Sequence, residues 1–153
     1  MKKLLIFFIT LLSLNNISAQ KYIQTYIKDA NKVGTKWWGE VNSGEYENSY
    51  NKLSDILKSR FTLEEWTNQI STLMNEFGNI KTRDVKNTYF QSKLEGFEDG
   101  FYVTIEYSVK YSKTRNHSEN LLLKQSDQLD SDGKFEWRIF DFDYTFQSLE
   151  NTE

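Results

Sequence analysis

The chain contains no cysteine, no proline and only one histidine. Without cysteine no disulfide can form, so stability has to come from an apolar core. The same lack removes the residue on which an exported lipid anchor is built. Tetrahedral zinc sites draw on several cysteines or histidines, and a single histidine cannot supply one. Serine and cysteine hydrolases need a base beside the nucleophile, and no such motif surrounds any serine here. A surplus of positive charge is also missing: 19 basic residues stand against 22 acidic ones, a formal charge of −3. That balance argues against a nucleic-acid partner, which calls for a basic patch.

Long apolar runs are scarce as well. Leu4 to Leu14, interrupted by Thr10 and Ser13, is about half of the roughly 20 residues that a spanning helix needs. Lys2 and Lys3 precede it, and Asn15, Asn16 and Ile17-Ser18-Ala19 follow. A positive start, a short apolar stretch and a small residue at the cut form the pattern of a secretory signal peptide. The expectation is therefore a signal peptide over residues 1–19 and one domain over 20–153, periplasmic or secreted, with no membrane span in the mature form. Loss of Lys2 and Lys3 takes the formal charge to −5.

Aromatic residues are plentiful, with four Trp, nine Tyr and eleven Phe. Each can bury up to about 150–250 Å², enough for the core of one ordinary domain. From Tyr22 to Val41 the apolar positions Ile23, Tyr26, Ile27, Ala30, Val33, Trp37, Trp38 and Val41 follow helical spacing. Asn42-Ser43-Gly44 ends that helix. A second, shorter helical piece carries Tyr46, Tyr50 and Leu53 and bends near Ser54-Asp55. Thr62-Leu63-Glu64-Glu65 reads as a capping box, opening a third helix with Leu63, Trp66, Ile70, Leu73, Met74 and Phe77 as its stripe and Gly78 as its end.

Beyond Gly78 the period changes to two. Strands are expected over Asp84 to Lys93, Phe101 to Tyr111, Glu119 to Gln125 and Phe135 to Phe146, with Lys113 to Ser118 as a hairpin loop. In the last strand Phe135, Trp137 and Ile139 are odd while Phe140, Phe142, Tyr144 and Phe146 are even, which predicts a β-bulge near Ile139. The expected fold is α+β: three N-terminal helices packed on one face of a curved antiparallel sheet of about four strands. A curved sheet under helices forms a cone, whose interior suits a small molecule.

The run Ala30 through Val41, Ser43-Gly44-Glu45-Tyr46, Ser49-Tyr50, Phe61, Trp66, Phe77-Gly78, Arg83, Asp99 through Val103, Glu119, Asp132-Gly133 and Trp137-Arg138 resembles the bacterial exported family catalogued as domain of unknown function 4019. That family is similar to the cystatin-like, nuclear-transport-factor-2-like superfamily of cone-shaped domains. The resemblance implies the fold and no reaction.

Three sets of residues carry possible chemistry. Trp38, Tyr46, Tyr50, Trp66, Tyr107 and Trp137 could line a pocket or form core, since Tyr and Trp join an apolar body to a polar tip. Arg83 and Arg138 could hold an anionic ligand through the guanidinium fork, or pair across the sheet with Glu119 or Glu106. Asp141 and Asp143 could serve an isomerase or dehydratase together with a tyrosine, if they face a cavity; opposite the aromatics of their strand, they are expected in solvent. His117 is expected as a solvated loop histidine. Asp127, Asp130 and Asp132 lack the downstream glutamate of a calcium loop and read as an acidic turn. No cofactor or metal is implied. The reading is a binding domain for a small apolar ligand or an envelope protein, with the pocket enzyme and an interaction module using the sheet edge at Glu119 to Gln125 as alternatives.

Overall fold

The computed structural model describes residues 2–149, with side chains described from residue 20 onward, so the signal-peptide expectation rests on side chains outside the described ones. Helix α1 (Lys2–Asn42) contains the helix expected from Tyr22 and continues it toward the N-terminus. Its described core face is Ala30, Trp37, Trp38 and Val41. It ends in a Schellman motif: the Glu45 amide donates to the Glu40 carbonyl and the Gly44 amide to Val41. Gly44 holds the φ of +79° that this ending requires.

The second helical piece divides into α2 (Tyr46–Asn51) and α3 (Asp55–Lys58), giving four helices among the described residues where three were expected. The cause is tertiary. The Ile139 amide donates to the Lys52 carbonyl and the Ser54 amide to the Ile139 carbonyl, so the chain leaves the helix to pair with the sheet. Ser54 then caps α3 by accepting from the Leu57 amide.

Helix α4 (Leu63–Phe77) begins with the capping box: Glu65 N–H donates to Thr62 Oγ1 at 3.2 Å, and Thr62 N–H donates to Glu65 Oε2 at 2.8 Å. Replacing Thr62 with alanine is expected to cost about 1 kcal/mol, read from the urea midpoint at unchanged m-value. Gly78 ends the helix at φ +77°, and a Cβ there would lie 2.2 Å from Ser112 Oγ. Only glycine fits.

The sheet is an antiparallel meander in the order β1 (Ile80–Gln91), β2 (Tyr102–Tyr111), β3 (Thr114–Leu129), β4 (Phe135–Ser148). The expected hairpin loop at Lys113 to Ser118 is corrected: the chain reverses within Ser112-Lys113, and Thr114 already belongs to β3. That turn is fastened from outside, by Ser112 N–H to the Asn79 carbonyl and Lys113 N–H to the Phe77 carbonyl. Asn116 at φ +51° sits in a bulge of β3, which explains why this polar stretch reads as a loop. Because β3 is flanked by β2 and β4, the sheet edge expected at Glu119 to Gln125 does not exist.

The bulge in β4 is present. Leu122 pairs with Asp141 and Leu123 with Ile139, leaving Phe140 as the extra residue. Ile139 and Phe142 therefore both enter the core, while Phe140 packs on the outer face against Tyr102 and Phe97. The core lies between the inner sheet face and α1, α2 and α4. Among the described residues no helix is long and apolar enough to cross a membrane.

Candidate functional site

Alternation in β1, β2 and β3 brings Arg83, Tyr111, His117 and Glu119 to the inner face beneath α1. Glu119 is 0% exposed. A carboxylate so placed must be paired, and Arg83 does this with two bonds: Nε to Oε2 at 2.7 Å and Nη2 to Oε1 at 3.0 Å. The Tyr111 hydroxyl donates to Glu119 Oε1 at 3.0 Å, and Arg83 Nη2 donates to that hydroxyl at 2.6 Å. From α1, Trp38 lays its ring 4.2 Å from the guanidinium carbon, a cation–π contact.

Tyr107 and His117 complete the set. Burial pushes the Tyr107 and Tyr111 phenols above their ordinary value, so both stay protonated. His117 is corrected from a solvated loop residue to a buried one, 4% exposed, in a strand. Burial first, and the Arg83 charge second, push its imidazole down to about 4. Its Nδ1 lies 3.0 Å from Thr114 Oγ1. Among the described residues Trp38 Nε1, the Tyr107 hydroxyl, Asn31 Oδ1 and His117 Nε2 are buried without a hydrogen-bond partner. Gly34 lets α1 come this close: a Cβ there would lie 3.0 Å from the Tyr107 hydroxyl.

A second group surrounds Ser49 of α2. Trp37 Nε1 donates to the Ser49 carbonyl at 3.1 Å, and Trp66 Nε1 donates to its Oγ at 3.0 Å. Tyr46 and Tyr50 are half-buried beside it, and the Tyr50 hydroxyl donates to the Phe61 carbonyl. Trp66 extends from this group to a cleft of about 430 Å³ between α4 and β4. Phe61, Trp66, Ile70, Leu73, Phe142 and Tyr144 form its apolar wall, with Asn68, Gln69, Thr72 and Glu76 as the polar part of the lining.

The structure thus brings Trp38, Arg83 and Tyr107 together in one polar interior, and Tyr46, Tyr50 and Trp66 in another neighbourhood. Trp137 and Arg138 stand apart from both. Trp137 is buried near Tyr26, and Arg138 pairs with Glu136 and donates to the Asn51 carbonyl at 2.7 Å. Asp141 and Asp143 are exposed, bordering a shallow depression with Thr104, Glu106 and Asn120 of the outer face. The isomerase alternative loses the carboxylates it required. Asp130 closes its turn by accepting from the Asp132 and Lys134 amides. Sequence reasoning missed His117, Tyr111 and the cleft-lining Phe142; for His117, alternation with Glu119, Leu121 and Leu123 was the available signal.

No curated protein and no solved structure matches the chain. A family model does match residues 33–140, which include α2 through β3 and most of the residues that build both groups. The chain belongs to the family described as "Protein of unknown function (DUF4019)".

Proposed function

We propose that this is a non-enzymatic binding domain that takes a small apolar ligand into the cleft between α4 and β4, and that it works outside the cytoplasm after export. The cleft is the observation that carries the reading. At about 430 Å³ it falls in the range of small-molecule sites, and six apolar side chains with a few polar groups match their chemistry. Export is supported by the Lys2-Lys3 start, the apolar stretch to Leu14 and Ala19. The carboxylates oppose an acid–base enzyme: Glu119 is committed to Arg83, and Asp141 and Asp143 are in water. Helices followed by a four-stranded meander support the relationship to cone-shaped cystatin-like domains.

The test is fluorescence titration of the protein from residue 20 onward with anilinonaphthalene sulfonate. Saturable binding is expected, weakened at least about 10-fold by Leu73→Asp, which sets a carboxylate in the apolar wall. Leu129→Asp, at an exposed site elsewhere, is expected to bind as the parent does. Absence of binding, or equal binding by both variants, overturns the reading.

A further inference from the structure

His117 is the chain's single histidine, and aromatic rings enclose it. Phe77, the last residue of α4, meets it edge-on at 4.4 Å; Tyr111 of β2 lies at 4.9 Å, and Phe146 of β4 stacks at 5.5 Å. Its Nε2 is 3.6 Å from Glu119 Oε1, an oxygen already taken by Arg83 and Tyr111. A proton arriving on this ring places a charge in a buried aromatic cage near the Arg83 guanidinium, and the one carboxylate oxygen facing it, Glu119 Oε1, is already held by Arg83 and Tyr111. Among the described residues the titratable groups nearest the ring are Arg83 from β1, Tyr111 from β2 and Glu119 from β3, with Tyr144 of β4 one ring further out against Phe77 and Glu76 of α4 acting on Tyr144. From α1 come uncharged Asn42, 3.3 Å from the Tyr111 hydroxyl, and Trp38 over Arg83.

We propose that His117 is an acid-sensitive latch: its neutral ring seats Phe77 and fastens the C-terminal end of α4 to β3 and β4, and protonation releases that end. The released end borders the cleft, because cleft-lining Tyr144 packs on Phe77 at 5.2 Å. The latch does not depend on the cleft being a ligand site. The sign follows from the depressed pKa. The closed form binds a proton only near 4, whereas the exposed imidazole binds one near its ordinary 6.5. The open form therefore gains protons first, and the latch is intact above pH 6.5 and weakens as pH falls toward 4.

With one histidine, proton NMR reads the ring without ambiguity. The ring is expected to titrate at about 4 in the folded protein. Hydrogen exchange at the Phe77 amide, corrected for intrinsic rates, is expected to show opening roughly 50-fold greater at about pH 4.5 than at about pH 7. His117→Phe is expected to abolish most of that rise. A ring titrating near its ordinary value or above, or the same pH response in the variant, overturns the proposal. Where the variant fails to fold, the parent chain decides the matter: a Phe77 exchange rate that does not rise toward about pH 4.5 overturns the proposal even if the ring titrates near 4.

Discussion

Replacing Glu119 with alanine should destabilise the protein by about 3–5 kcal/mol, because it strands the Arg83 guanidinium beneath α1 without its counter-charge. The arginine side chain is 12% exposed and the carboxylate 0%, so water cannot take over the two bonds at 2.7 and 3.0 Å. Tyr111 loses its nearer acceptor in the same change and keeps only Asn42 Oδ1 at 3.3 Å. The pair itself contributes far less than this loss suggests, since both charges were taken out of water to form it. The Arg83→Met, Glu119→Leu double variant should therefore recover most of the stability. Urea unfolding of the parent, Arg83→Met, Glu119→Leu and the double variant gives the coupling directly. A Glu119→Ala cost below about 1 kcal/mol would show that the carboxylate is not buried as described.

Trp37→Ala should cost a similar amount, about 3–5 kcal/mol, through a different cause. The Trp37 ring is 0% exposed and meets Trp38 at 4.6 Å, Phe142 at 5.6 Å and Trp66 at 6.1 Å. Its removal opens a void where α1, α2, α4 and β4 converge. It also deletes the hydrogen bond to the Ser49 carbonyl that fixes α2 against α1. Tyr22→Ala, at a 64% exposed position of the same helix, should change stability by no more than about 0.5 kcal/mol. Thermal and urea unfolding of the two variants separate burial from loss of an aromatic ring as such.

The parts of the fold legible in the sequence are those set by local chemistry. Thr62 and Glu65 announce their helix start because the capping bonds join residues three apart. Gly78 announces the change of period because the left-handed ending and the contact with Ser112 both exclude a Cβ. The odd-to-even change of the aromatics in β4 announces the bulge at Phe140, since period two leaves no other way to bury Ile139 and Phe142 together.

The parts that stayed hidden depend on contacts distant in sequence. The break between α2 and α3 comes from pairing with Ile139, more than eighty residues away. Polar Arg115-Asn116-His117-Ser118 enters a strand because its bulge is set by β4 and its turn is fastened by the α4–β1 connection. Arg83 and Glu119 were legible as a pairing across the sheet, but not the depth of the pair, which depends on Trp38 and α1 above it. The cleft was hidden because an amphipathic stripe does not say which members, here Ile70 and Leu73, line a cleft beside the opposing strand.

The central claim is that beyond Gly78 the chain forms a four-stranded meander whose register steps by one at Phe140, which sets Phe142 and Phe146 inward beside Trp137 and Ile139. Cross-strand backbone contacts in a nuclear Overhauser spectrum test this most directly. Contacts joining Ile105 to Leu121, Leu122 to Asp141 and Leu123 to Ile139, with Phe140 skipped, are the predicted result. Helical contacts through residues 102–125, or an unbroken register pairing Leu122 with Phe140, would contradict it.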